Sequence, residues 1–162
     1  MRFELTQRLA SPADAVDAVY TDPGLYPTLV GLPKLGDIEV LRSERDGARA
    51  RLAIRYGFTG DLPAAVTAVV DPDKLTWVQE SDHDLVAGIT TFRLVPDHYP
   101  DRLTAAGRTV VRGVGDGSER IVSGELKVRA LLVAGKVEQA IVDGLAEYLA
   151  AEAPAVDRYL SS

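Results

Sequence analysis

The chain has 162 residues, of which 46% are hydrophobic and 26% charged, and its net charge at pH 7 is −6. This charge argues against a nucleic-acid binder, which needs a basic face, and against electrostatic docking on an anionic membrane. The absence of cysteine excludes disulfides, thiolate nucleophiles and Cys-based metal sites. The length fits one domain, which we expect to cover residues 1–162.

The N-terminal residues predict a strand followed by two short helices. Apolar and polar side chains alternate over residues 2–9, which is typical of a half-buried strand. Ser11-Pro12 predicts an N-cap and a proline at the first helical position. Asp22-Pro23-Gly24 ends that helix, and a second short helix is predicted over 23–30, ended by Gly31-Leu32-Pro33.

From residue 37 onwards the sequence predicts strands that short turns separate. Asp46-Gly47 is typical of a tight hairpin, and Asp82-His83-Asp84 and Gly115-Asp116-Gly117 are also interpreted as turns. Sequential hairpins indicate an antiparallel meander. The seven predicted strands cover residues 37–45, 48–58, 64–70, 75–81, 86–95, 102–112 and 118–130.

The segment from Leu131 to Leu160 predicts one long amphipathic helix. Its apolar side chains recur at steps near 3.6: Val133, Val137, Ile141, Leu145, Tyr148 and Val156. A helix of roughly 40 Å needs a curved sheet to cover such a stripe. Pro154 is expected to kink or end the helix near Ala150, and we favour a kink because Tyr159 still offers apolar surface. Gly124, in the last strand, is where we expect the helix to approach the sheet most closely.

This order of elements resembles the START-like (SRPBCC, helix-grip) superfamily, and most of all its bacterial branches of unknown function. The likeness is carried by Ser11-Pro12, Gly31-Leu32-Pro33, Asp71-Pro72 before Leu75-Thr76-Trp77, and Ala134-Gly135-Lys136-Val137-Glu138. The resemblance implies an α+β fold, a curved antiparallel sheet wrapped around a long C-terminal helix, with two short helices between the first and second strands. The superfamily has six strands between those short helices and the last helix, whereas the sequence predicts seven. Either two segments share one bent strand, or 118–130 is an added strand.

The resemblance also implies a cavity between the sheet and the terminal helix, usually apolar and open to small hydrophobic ligands. Five aromatic residues are the candidate ligand contacts: Tyr26, Tyr56, Trp77, Phe92 and Tyr148. Each also fits an ordinary core position, in which a tyrosine hydroxyl bonds a backbone carbonyl.

Catalytic and metal-binding motifs are not evident in the sequence. The only histidines, His83 and His98, fall in predicted turns rich in aspartate, where solvated side chains are the rule. Five polar residues within predicted strands have an undetermined facing: Glu80, Thr90, Arg93, Arg108 and Arg112. Any of them pointing inward would be a candidate functional residue.

The favoured hypothesis is a non-catalytic protein that binds or transports a small hydrophobic molecule of the lipid, polyketide or isoprenoid class. No cofactor or metal is expected. One alternative is an enzyme similar to polyketide cyclases or dehydratases, which an inward Glu80 or Arg108 facing Tyr56 would favour. The other is a protein-interaction or co-chaperone-like domain. Without a secretory signal or an apolar run of membrane-spanning length, we expect a cytoplasmic protein without nucleic-acid or integral membrane association, and its oligomeric state stays open.

Overall fold

The computed structural model describes all residues, 1–162. One seven-stranded antiparallel sheet has the order β1-β7-β6-β5-β4-β3-β2. The strands are β1 (Arg2–Leu9), β2 (Leu35–Asp46), β3 (Arg49–Phe58), β4 (Thr76–Asp84), β5 (Ile89–Pro96), β6 (Leu103–Val114) and β7 (Gly117–Val128). The helices are α1 (Ala13–Val19), α2 (Ala64–Thr67) and α3 (Ala134–Ser161), with 3₁₀ turns at Tyr26–Leu29 and Pro72–Lys74. The predicted helix-grip architecture is confirmed: a meander whose first strand pairs with its last, and a long C-terminal helix.

Six strands, not seven, lie between the short N-terminal helices and α3. The predicted strand over 64–70 is wrong, because Ala64–Thr67 forms α2, and β7 is an ordinary member of the sheet. Pro63 precedes α2 with a φ of −55°, which suits the start of a helix. Val66 is buried, and together with Val69 and Val70 it follows a helical rather than an alternating spacing.

The aspartate-rich turn lies later in the chain than predicted. Asp82-His83-Asp84 forms the end of β4, and the connection to β5 covers residues 85–88. Asp84 does organise that turn, because its Oδ1 accepts hydrogen bonds from the backbone N–H groups of Val86 and Ala87. His83 therefore belongs to the strand and takes its alternation.

The start of α1 is held by the end of α3. Pro12, not Ser11, occupies the N-cap position, so the helix begins one residue later than predicted. The Ser11 backbone N–H and hydroxyl both donate to Asp157 Oδ1, at 3.1 and 2.7 Å. The second predicted helix is a single 3₁₀ turn at Tyr26–Leu29.

The terminal helix continues through Pro154 as one element and does not end near Ala150. Pro154 is exposed, so its ring lies on the solvent side. In the predicted stripe, Val133 and Leu145 are half-buried and three residues are fully buried, but Ile141 is 38% exposed. The buried members are Val137, Tyr148 and Val156.

Gly124 has a different role from the one predicted. A Cβ at this position would lie 2.5 Å from the Ala106 carbonyl oxygen and 3.1 Å from both Gly107 Cα and the Phe3 ring. The nearest atoms thus belong to the sheet itself, and none belongs to α3. Gly107 and Gly124 are paired across β6 and β7, and the absence of side chains lets the two backbones come together at this pair.

Candidate functional site

A cavity of about 530 Å³ lies between the concave face of the sheet and α3. Its outer part is lined by apolar side chains, among them Leu62, Val66, Val70, Trp77, Leu94, Leu103, Leu126, Val137 and Ile141. His98, Arg102 and Arg129 line the same cavity and are exposed, so this outer end reaches the protein surface. The volume is within the usual range for small-molecule sites, about 300–1,000 Å³.

All five aromatic residues proposed as ligand contacts line this cavity: Tyr26, Tyr56, Trp77, Phe92 and Tyr148. Tyr56 and Trp77 are stacked, with ring centroids 5.9 Å apart and an interplanar angle of 23°. The Tyr56 hydroxyl forms no side-chain hydrogen bond, and burial raises its pKa well above the usual value. Ligand binding by these residues stays a prediction.

The hydroxyls of two of these tyrosines are already engaged within the protein. Tyr26 Oη donates to the Tyr20 carbonyl oxygen at 2.6 Å, and Tyr148 Oη donates to Glu152 Oε1 at 3.2 Å. Burial, reinforced by the Glu152 carboxylate, raises the pKa of both hydroxyls. Both hydroxyls are therefore neutral at pH 7, and their hydrogen bonds stabilise the walls of the cavity.

A largely buried charged network, which the sequence did not predict, joins β1, β7 and α3. Arg120 Nη1 donates to Gln7 Oε1 at 2.7 Å and lies 3.8 Å from Glu152 Oε2. The guanidinium also lies 4.0 Å from the centroid of the Tyr20 ring. Gln7 Nε2 donates to Glu152 Oε2 and to the Leu149 carbonyl oxygen, at 2.9 and 2.8 Å. These contacts tie α3 to the sheet and satisfy most of the polar groups involved.

Strand alternation could have predicted that Arg120 points inward. Arg120 shares its parity with Val122 and Leu126, which are 5% and 2% exposed. The Tyr20 hydroxyl beside this network is fully enclosed and has no hydrogen-bond partner. Burial raises its pKa strongly, and the nearby Glu152 charge adds to that effect while Arg120 opposes it.

His83, Thr90 and Thr109 form a cross-strand row at the inner end of the cavity, near α1. His83 is 4% exposed, so the prediction of a solvated turn residue is wrong. Its Nε2 lies 2.9 Å from Ser81 Oγ and its Nδ1 lies 3.0 Å from Thr90 Oγ1. Burial, followed by the charge of Arg120, lowers the pKa of His83 to about 4. The ring is therefore neutral at pH 7.

The contact between Ser81 and His83 has the form of a nucleophile beside a base, but its chemistry is unfavourable. Both ring nitrogens of His83 are occupied by hydroxyls. An imidazole with a pKa of about 4 is also a weak base at neutral pH. The geometry supports a structural polar cluster better than nucleophilic catalysis.

Among the five strand residues of undetermined facing, only Thr90 points inward, and it is 7% exposed. The other four, Glu80, Arg93, Arg108 and Arg112, face outward. The inward Glu80 or Arg108 that would have favoured an enzyme is therefore not found. No cluster of three His, Asp or Glu side chains is arranged to hold a metal ion, and no helix has the length and apolarity to cross a membrane.

The family model described as "Protein of unknown function (DUF2505)" matches residues 4–160, and no curated protein matches the chain. A solved structure similar to this one is TTHA0849 from Thermus thermophilus, with a TM-score of 0.69 and 14% identity, covering 99% of this chain and 97% of that chain. Norcoclaurine synthase from Thalictrum flavum, solved in complex with dopamine and hydroxybenzaldehyde, has a TM-score of 0.67 and 20% identity, covering 99% and 86%. A START superfamily protein from Mycobacterium smegmatis has a TM-score of 0.57 and 14% identity, covering 99% and 97%. These likenesses confirm the START-like fold, and the fold alone.

Proposed function

The chain belongs to the DUF2505 family and has the START-like helix-grip fold, and from this premise we propose that it binds a small, largely apolar molecule between the sheet and α3. The observation that carries the proposal is the cavity of about 530 Å³, whose lining includes 29 hydrophobic residues among 49. Its outer end reaches the surface, which gives a ligand a route of entry.

The energetics of packing support an occupant. Protein interiors are normally close-packed, and a cavity lined by apolar groups forfeits the dispersion contacts that a filled core would have. Such a volume lowers stability in the free protein, and an apolar ligand restores the missing contacts. The five aromatic residues and the aliphatic groups around them are the surface that a lipid, polyketide or isoprenoid would contact.

Catalysis is the less favoured function, because the inward charged pair and the inward histidine each have a better structural explanation. The Arg120–Glu152 pair joins α3 to the sheet, and His83 is held neutral between two hydroxyls. A polyketide cyclase-like or dehydratase-like reaction needs an acid or base that reaches the substrate. Binding or transport needs only the cavity and its opening.

The proposal is tested by titration with N-phenyl-1-naphthylamine, an aryl probe that is uncharged at pH 7 and fluoresces more strongly in apolar surroundings. We expect saturable binding of one probe per chain. Ala105 lines the cavity from β6 and is 9% exposed, so Ala105→Trp fills the space and should lower probe affinity at least tenfold. Ala106→Trp is the matched control, because Ala106 is exposed on the opposite face of the same strand.

Circular dichroism and thermal unfolding verify that both variants are folded. If the unmodified protein shows no saturable binding, or both tryptophan variants weaken binding equally, the cavity is not the binding site and the proposal fails.

A further inference from the structure

The inner end of the cavity contains a carboxylate with no partner. Asp17 lies in α1, is 7% exposed and lines the cavity, and it forms neither a hydrogen bond nor a salt bridge. Burial raises its pKa above the usual range, the Arg120 charge opposes this and the Asp84 charge reinforces it. A buried carboxylate without a partner is costly, so its position at a cavity wall points to a ligand group.

Neighbouring charges do not neutralise Asp17. The Arg120 charge lowers the pKa of Asp17, but this guanidinium is already bonded to Gln7, paired with Glu152 and in contact with the Tyr20 ring. The charges of Arg120 and Glu152 offset one another, and His83 is neutral at pH 7. Ionised Asp17 therefore leaves a net negative charge at this end of the cavity.

Hydroxyl oxygens line the same cavity. Thr109 is 4% exposed, lines the cavity and forms no side-chain hydrogen bond, and it lies on β6, against which α1 packs. Thr90 pairs with Thr109 across β5 and β6, and its hydroxyl oxygen keeps a lone pair after bonding His83 Nδ1. A primary ammonium group, with three donors and no acceptor, matches a carboxylate flanked by hydroxyl oxygens.

We propose that these three side chains, Asp17, Thr90 and Thr109 (the Asp17 subsite), bind the protonated amine of an otherwise apolar ligand. The inference rests on the proposed function and adds the chemical class of its ligand, a hydrophobic amine. An ammonium group would pair with the Asp17 carboxylate through a charge-assisted hydrogen bond in a site shielded from water. A fatty acid would instead place a like charge beside Asp17 and Glu152, and an alcohol would gain only neutral hydrogen bonds.

The test is displacement of N-phenyl-1-naphthylamine at pH 7 by decylamine, decanol and decanoate, which share a ten-carbon chain and differ in their polar group. We expect decylamine to bind at least tenfold more tightly than decanol, and decanoate to bind most weakly. Asp17→Asn keeps the shape and removes the charge, so it should bring decylamine to the level of decanol and leave decanol unchanged. Asp14→Asn is the matched control, because Asp14 is exposed on the same helix.

Four results separate the possibilities. Equal affinities for decylamine and decanol in the unmodified protein, or equal effects of Asp17→Asn and Asp14→Asn on decylamine, would overturn the amine subsite while the cavity proposal stands. Failure of the aryl probe itself to bind would overturn both. Thr109→Val retains the carboxylate and should weaken decylamine two- to fivefold and decanol less, and an equal effect on the two would contradict the subsite even if Asp17→Asn does not fold.

Discussion

The two ends of the cavity differ in where their charged groups lie. At the outer end, apolar side chains face the cavity while charged groups such as Arg102 and Arg129 lie in solvent at its rim. At the inner end, Glu152 and Asp17 are buried and the Arg120 side chain is only 12% exposed. An apolar surface accepts hydrophobic molecules of many shapes, whereas buried polar groups reject a ligand that leaves them unpaired. The difference gives a bound ligand a direction, with its polar group towards α1 and its tail towards the surface.

The difference between the two ends predicts that substitution of a charged residue at the inner end lowers the stability of the protein more than substitution of one on the surface. The largest effect is expected for Arg120→Met, which leaves the Glu152 carboxylate buried without its cation. We expect the free energy of unfolding to fall by about 3–5 kcal/mol, measured by urea denaturation.

Arg93→Met is the matched control, because Arg93 pairs with Glu80 on the outer face of the sheet, where it is 67% exposed. Exposed pairs contribute about 0–1 kcal/mol. A loss for Arg120→Met no larger than for Arg93→Met would contradict the difference between the two environments. The double variant Arg120→Met with Glu152→Gln should recover stability relative to Arg120→Met.

The second prediction concerns pH and His83. Its pKa in the folded protein is about 4, below the 6.5 of an ordinary histidine, so the folded state binds fewer protons than the unfolded chain between these values. The stabilisation is full above pH 6.5 and is lost as the pH falls towards 4, a change of roughly 3 kcal/mol. The free energy of unfolding of the unmodified protein, relative to that of His83→Gln, should fall by that amount between pH 7 and pH 4.

Exposed His98 provides the control for this pH experiment. Comparing variants at each pH removes the contribution of the carboxylates, including Asp17, whose raised pKa acts in the opposite direction. A His83→Gln difference that stays constant across the range would mean that His83 is not buried in its neutral form.

The smallest expected effect is a gain in stability rather than a loss. Asp17→Asn should stabilise the free protein at pH 7 by about 1 kcal/mol, because it removes a desolvated charge that has no partner. Because the pKa of Asp17 is raised on folding, this gain should disappear as the pH falls through its folded-state pKa. Thermal and urea unfolding at pH 7 and pH 3 measure it.

Asp14→Asn should not stabilise the protein, because Asp14 is exposed in the first turn of α1, where a negative charge is favourable. Destabilisation by Asp17→Asn would indicate that Asp17 has a partner in solution, and the inner end would then resemble the satisfied Arg120 network.

Periodicity predicted the fold because it reports which face of each element is buried. The alternating strands and the apolar stripe through Val137, Tyr148 and Val156 were therefore visible in the sequence. Residues 64–70 were misassigned because their valines favour strands, although Val66, Val69 and Val70 follow a helical spacing. A short segment gives periodicity too few residues to outweigh that preference.

The inner end of the cavity could not be predicted in the same way. Arg120 had an inward parity, but its partners Gln7 and Glu152 lie in the first strand and the last helix, and only the folded chain brings them together. His83 was misplaced because aspartates on both sides of it suggested a turn, whereas the strand ends one residue later. Asp17 lies among apolar neighbours on a short helix, and its lack of a partner is a property of the tertiary structure.

The most direct test of the account is the crystal structure of the protein in complex with 10-bromodecylamine, in which anomalous scattering locates the bromine. We predict the ligand between the sheet and α3, with its nitrogen within hydrogen-bond distance of an Asp17 carboxylate oxygen and its bromine at the outer end near Ile141. Bromine at the α1 end, or a ligand bound outside the cavity, would contradict the assignment of the two ends.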